Sequence, residues 1–167
     1  MNLRFLALPL AALVCLTAYP LGANGADQPK LPPGVTPEMM HTMMTPLSEH
    51  PAVMPAGTEG IGGCVPTMGY HYVLPKNNPR GPIYGFYQGK ATFTELMLTN
   101  AEMLKADWND ALKPLPGYTI DHVDIWYEKR GHPGYEVPHF DVHAWYVPHA
   151  EHMKWCGNTS GKKPAWL

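Results

Sequence analysis

The stretch 138–147, Pro-His-Phe-Asp-Val-His-Ala-Trp-Tyr-Val, carries the residues of this chain that are best suited to chemistry. Its aromatic and β-branched residues favour a strand, in which successive side chains point to opposite faces. One face would be apolar, and the other would carry His139, Asp141 and His143. Trp145 continues this second face and indicates that it is at least partly covered. Buried imidazoles and carboxylates must be paired, hydrogen-bonded or bound to metal, so we predict a metal site along this stripe.

Two further ligand candidates lie on other predicted strands. His71 falls in the aromatic run 69–74, and Glu95 lies between Phe93 and Met97 on one face of the strand 91–98. A carboxylate at such an apolar position is expected to be paired. The alternatives are a hydrogen-bonded core histidine at 71 and a rim glutamate at 95. The predicted ligand set is therefore His71, Glu95, His139, Asp141 and His143.

A second long strand, 118–128, precedes the stripe and is separated from it by a turn rich in glycine and proline. If the two strands form a hairpin, the turn length predicts the pairs Glu128 with His139, Trp126 with Asp141, and Asp124 with His143. Asp124 and His122 would then lie on the ligand side. A carboxylate beside a ligating imidazole fixes its tautomer, and we predict this supporting role for these two residues.

The spacing of the two strand histidines constrains the metal. His139 and His143 would lie about 13 Å apart along a flat strand, a distance that strand twist, a bulge at Asp141 or the reach of the side chains could shorten. Otherwise Asp141 would pair with only one of the two histidines, and His71 and Glu95 would complete the ligand shell. Mixed histidine and carboxylate ligands suit zinc best, with iron or copper as alternatives. An open coordination position would admit water or a small-molecule ligand, but nothing in the sequence identifies a reaction.

These strands belong to a predicted α+β fold, a mainly antiparallel sheet or barrel-like core with one packed helix and a short N-terminal helix. Segments 83–87 and 91–98 read as a hairpin. Thr36 and Pro37 predict the start of the short helix. The packed helix is predicted to follow a capping box at Thr99 and Glu102 and to run to about Leu112.

Residues 1–25 have the pattern of a secretory signal peptide, with an early arginine, an apolar run and small residues at its end. We predict an exported protein, in the bacterial periplasm or secreted, with no stable membrane span after cleavage. An extended leader, 26–63, then precedes a single mainly-β domain, 64–167. Cys64 and Cys156 would be the cysteines left in an oxidising compartment, and we predict that they form a disulfide worth about 4 kcal/mol.

Two other functions fit the same sequence. The segment Met39, Met40, His41, Met43 and Met44 is a candidate copper site, because thioethers suit Cu(I). Alternatively, the histidines form a metal-free hydrogen-bond network within a binding or assembly module. Lysine and arginine together number 12 against 14 acidic residues, and no basic stripe occurs, so a nucleic acid is not an expected partner.

The segments Gly69-Tyr70-His71-Tyr72 and 138–143 resemble a little-characterised bacterial family, the TTHB-type domain of Thermus, described there as under sigma-E control. The resemblance covers the chain from about Cys64 to about His152. It implies an exported single domain with a largely β fold and assembly into a ring or dimer, that is, a homo-oligomer. It implies no established activity and supplies no catalytic residues.

Overall fold

The computed structural model of this chain describes residues 36–45, 47 and 50–164, with the backbone alone at 43 and 44. The predicted signal peptide and the first part of the leader lie outside the described residues. So do the side chains of Met43 and Met44, on which the copper hypothesis depends. In the part that is described, no helix is long and apolar enough to cross a bilayer.

The described chain forms six strands and three short α-helices. The strands are β1 (Glu59–Val65), β2 (Gly69–Val73), β3 (Ile83–Tyr87), β4 (Lys90–Thr99), β5 (His122–Glu128) and β6 (His139–Trp145). The helices are α1 (Pro37–Met44), α2 (Asn100–Met103) and α3 (His149–His152). This is the predicted α+β class. The sheet is open, so the barrel-like alternative is wrong.

All neighbouring strands are antiparallel, and their order is β1-β2-β3-β4-β6-β5. The last strand in sequence, β6, is therefore inserted between β4 and β5. The predicted β3–β4 hairpin is present. The β5–β6 register is also as predicted, with Asp124 opposite His143 and Glu128 opposite His139. Because β6 has a strand on each side, its ligand stripe lies within the sheet and can be covered.

One face of the sheet, which we call the inner face, carries the ligand stripe and a tightly packed aromatic core. Phe93 and Trp145 are fully buried there and pack with Trp155. Cys64 and Cys156 belong to the same cluster, with their Cα atoms 5.6 Å apart and their sulfur atoms at bonding distance. The pair joins the end of β1 to the segment after α3. On the opposite face, β5 leaves Ile125 59% exposed.

The start of each predicted helix is confirmed, whereas the extent of the second is wrong. Thr36 caps α1 through its side chain, and Thr99 and Glu102 form the capping box of α2. However, α2 ends at Met103 and does not run to about Leu112, and the next residue, Leu104, is 88% exposed. The segment 107–110 reads Asp-Trp-Asn-Asp, and such residues compete with helical hydrogen bonds and favour turns.

Candidate metal sites

Strand β6 presents its polar residues to the inner face, where all three are almost wholly buried. His139 and His143 have no exposed surface and Asp141 is 3% exposed. The structure does not gather the predicted ligands around one point. Instead, it divides them between two places along the strand and adds histidines that the sequence analysis did not include.

The first group, which we call the His132 cluster, consists of His132, His139 and Asp141. Nε2 of His139 lies 2.8 Å from Oδ1 of Asp141 and 3.2 Å from Nε2 of His132. Nε2 of His132 lies 3.8 Å from the same carboxylate oxygen. Three atoms that can bind a metal therefore surround one point, and two of the three residues, His132 and Asp141, also line the cavity described below.

The hydrogen bonds behind these rings indicate the tautomers. Nδ1 of His139 lies 2.6 Å from the carbonyl oxygen of Val137, and Nδ1 of His132 lies 3.3 Å from that of Pro133. A carbonyl only accepts, so each Nδ1 carries the hydrogen and each Nε2 keeps its lone pair. Asp141 Oδ1 is buried and accepts no hydrogen bond of good geometry from any described residue.

Three converging acceptors require a shared cation, which can be a proton or a metal ion. Burial would lower the pKa of His132, but the adjacent Asp141 carboxylate raises that pKa to about 9. Without metal, His132 would therefore hold the proton at neutral pH. With metal, that proton must leave. The cluster could hold a metal ion provided that this proton is displaced.

The second group is a buried ion pair between Glu95 and His143. Oε1 of Glu95 lies 3.3 Å from Nε2 of His143, and its other oxygen lies 3.9 Å from Nε2 of His71. Burial would lower the pKa of His143, but the Glu95 carboxylate raises it overall. Burial would likewise raise the pKa of Glu95, but His143 and then His71 bring it below its usual value. For His71 burial prevails, and its pKa is lowered.

A cavity of about 350 Å³ lies beside both groups. Its ionisable lining is His71, Glu95, His132 and Asp141, and its apolar lining includes Met68, Ile83 and Met97. His143 does not line it; Phe93, Trp126 and Trp145 pack around its ring at centroid distances of 5.0 to 5.3 Å. The cavity therefore connects the His132 cluster to the Glu95 carboxylate.

The two predicted supporting residues, Asp124 and His122, lie elsewhere on the inner face. Asp124 Oδ2 lies 3.6 Å from Nε2 of His122, and His149 and His152 approach the same oxygen. Burial lowers the pKa of His152 to about 4, so its ring is neutral at physiological pH. The supporting role of Asp124 and His122 toward the predicted ligands stays a prediction.

Three histidines were missed by the sequence analysis. His132 lies in the turn between β5 and β6, which folds back so that its ring reaches His139. Its position in a turn between two strands that carry candidate ligands was the feature of the sequence that could have indicated it. His149 and His152 have the three-residue spacing of one helical turn, but that spacing alone does not separate solvated from buried rings.

The fold and these side chains define an α+β domain with a mainly antiparallel sheet whose inner-face histidines and aspartates could hold a metal ion. No model of a known protein family matches the chain, and no curated protein matches it in sequence. Among solved structures it is similar to a hypothetical protein from Thermus thermophilus, TTHB210, with a TM-score of 0.47 and 21% identity. That similarity covers 62% of this chain and 96% of the other. The description of that protein names no activity, and a likeness of this size assigns none.

Proposed function

We propose that this chain is an exported domain that binds a zinc ion at the His132 cluster, with an open coordination position that faces the cavity. The single observation that carries the proposal is the meeting of three acceptors, His132 Nε2, His139 Nε2 and Asp141 Oδ1. The backbone carbonyls behind both rings hold the lone pairs toward that point.

The spacing of these atoms supports a tetrahedral ion. Zinc bonds to nitrogen and oxygen of 2.0–2.1 Å place neighbouring ligand atoms about 3.3 Å apart in a tetrahedron. The three separations here, 2.8, 3.2 and 3.8 Å, lie on either side of that value. Two imidazoles and one carboxylate form a donor set that zinc accepts readily.

The fourth position determines what such a site could do. Three protein ligands leave room for water or for a small-molecule ligand, which is the arrangement of reactive zinc sites rather than structural ones. Glu95 lines the same cavity, and its lowered pKa keeps it ionised and able to accept a proton or a hydrogen bond from a ligand there.

Export supports zinc over metals that are easily oxidised. The inference that the chain is exported rests on two features. The N-terminal sequence has the pattern of a signal peptide, and the paired cysteines join positions 92 residues apart in the chain. Disulfides persist in oxidising compartments. Such a compartment suits a metal that undergoes no redox change.

The competing function is a metal-free network in which His132 keeps its proton and bridges His139 to Asp141. Elemental analysis of the protein purified without a histidine tag, after incubation with Zn²⁺ and removal of excess, separates the two. His132→Gln is the test variant, because this ring is partly exposed and its loss should leave the fold intact. His41→Gln, at an exposed position of α1, is the matched control.

We expect His132→Gln to lose one equivalent of zinc relative to the parent and to His41→Gln. An equal zinc content in all three proteins, with each shown to be folded by near-ultraviolet circular dichroism, would refute the proposal. It would leave the metal-free network as the explanation of the cluster.

A further inference from the structure

A second group of potential ligands lies on the inner face, apart from the His132 cluster. We propose that His122, Asp124, His149 and His152 form a separate zinc site, closed by four protein ligands. The proposal does not depend on zinc at the His132 cluster. None of its four residues lines the cavity described above.

The four side chains converge on one carboxylate oxygen. Oδ2 of Asp124 lies 3.4 Å from Nδ1 of His149, 3.6 Å from Nε2 of His122 and 3.9 Å from Nε2 of His152. All four ligand atoms lie within 4.8 Å of one another. The His149 side chain is 56% exposed, and its ring packs edge-on against the rings of His122 and His152.

Three of these atoms are buried and lack any hydrogen-bond partner in the described part of the chain. They are His122 Nε2, Asp124 Oδ2 and His152 Nε2. The His152 side chain has no exposed surface at all. A buried polar atom without a partner destabilises the fold, so three of them around one point need an explanation.

In the rings of His122 and His152, the second nitrogen, Nδ1, lies beside an acceptor. Nδ1 of His152 donates to the carbonyl oxygen of Thr67 at 2.9 Å, and Nδ1 of His122 lies 2.8 Å from a carboxylate oxygen of Asp121. Both Nε2 atoms therefore direct lone pairs at a carboxylate, which only accepts. Carboxylate–histidine–metal and carbonyl–histidine–metal chains have this arrangement in zinc proteins.

The site is distinct from the His132 cluster. The two groups have no residue in common, and the ligand atoms of each lie close together as a separate set. Asp124 is opposite His143 in the sheet, whereas Asp141 is opposite Trp126. Each group must therefore be tested by its own variants.

Four protein ligands leave no open position, so the role of this ion would be structural. His122 and Asp124 belong to β5, and His149 and His152 belong to α3. An ion between them would fasten α3 and the segment after it to the sheet, where His152 already stacks on Trp145 at a centroid distance of 3.6 Å. Zinc at this site should therefore protect α3 from local opening.

The test starts from the metal-free full chain, prepared with a chelator, which is then titrated with Zn²⁺ alone. The ligand variants are Asp124→Asn, which keeps the shape of the side chain, and His149→Gln, at a position with 56% side-chain exposure. Asp121→Asn removes only the charge behind His122, because the amide oxygen can still accept a hydrogen bond. His41→Gln is the control, and His132→Gln reports on the other cluster.

We expect Asp124→Asn and His149→Gln each to lose one equivalent of zinc that His132→Gln retains. Asp121→Asn should keep the site but weaken its zinc affinity about 10–100-fold. Zinc should slow amide hydrogen exchange in α3 in the parent and in His132→Gln, but not in Asp124→Asn. Unchanged zinc stoichiometry and unchanged exchange in both ligand variants would overturn this site, whatever happens at His132.

Discussion

Glu95 and His143 form an ion pair, 3.3 Å between Oε1 and Nε2, in a position where both side chains are almost wholly removed from water. Each shifts the pKa of the other toward the charged form, against the effect of burial. The pair belongs to neither of the two groups of potential ligands. The sequence analysis assigned both residues to the metal, and the geometry favours a structural role for His143.

This relationship predicts that His143→Gln destabilises the fold without removing zinc. Removal of one partner from a buried ion pair leaves the other charge uncompensated and costs about 3–5 kcal/mol. Equilibrium denaturation of the parent and the variant measures that cost. In the double variant Glu95→Gln/His143→Gln, most of the loss should be recovered. If His143→Gln instead loses zinc at unchanged stability, His143 is a ligand, as the sequence first suggested.

The raised pKa of His132 predicts opposite pH dependences for the free and the zinc-bound protein. Its folded value of about 9 exceeds the unfolded value of 6.5, so the protonated ring stabilises the metal-free fold fully below about pH 6.5. This contribution, on the order of 3 kcal/mol, is lost as the pH rises toward 9. Zinc must displace the same proton, so zinc affinity should rise over that interval.

Denaturation of the metal-free parent and of metal-free His132→Gln at several pH values tests whether the protonated His132 ring stabilises the fold. The stability difference between the two proteins should be largest at the acidic end of the interval and vanish at the alkaline end. Zinc titrations at the same pH values test whether zinc affinity rises with pH. A difference that stays constant with pH would mean that His132 is not protonated in the folded, metal-free state.

Substitution of Gly85 is predicted to create a packing defect beside His71 and His143. A Cβ atom at this position would overlap the ring of Phe93 and the side chain of Thr92. The Phe93 ring contacts both His71 and His143, at centroid distances of 5.2 and 5.1 Å. Gly85→Ala should therefore cost about 1–3 kcal/mol through overpacking.

Gly60→Ala is the matched control, because its added Cβ meets only the edge of the Tyr72 ring, at 3.4 Å. Thermal denaturation of both variants gives the comparison. Equal melting temperatures for the two would show that Phe93 can move aside, and that the inner face is less tightly packed than its buried aromatic rings indicate.

The sheet could be predicted from the sequence where alternation and turn length act together. The register of β5 against β6 followed from the apolar faces of both strands and the turn between them. The second helix was predicted too long, because Ala101, Leu104, Trp108 and Ala111 are spaced as on one face of a helix. Nearby Asp107, Asn109 and Asp110 favour turns over helix. The spacing of apolar residues does not show that Asp and Asn side chains compete with the helical backbone hydrogen bonds.

The candidate ligands were predicted only in part. The alternation of a strand shows on which face of the sheet a side chain lies, but it does not show which residues of other segments that side chain contacts. His139 and Asp141 meet, whereas His71, Glu95 and His143 form a group of their own. His132 could not be placed, because the path of a turn rich in glycine and proline does not follow from its sequence. Export, self-association and a small-molecule ligand stay predictions, and they need secretion assays, sedimentation and binding measurements.

The strict alternation of β6 has a consequence for folding errors. A slip of one residue against β4 and β5 would exchange the two faces of the strand and carry His139 and Asp141 to the other side of the sheet. The Trp145 ring on which His152 stacks would move with them. Such a misregistered chain would keep its strands but lose the His132 cluster. Under the proposed function, zinc content would thus distinguish correctly registered molecules from compact misfolded ones that secondary-structure spectroscopy counts as native.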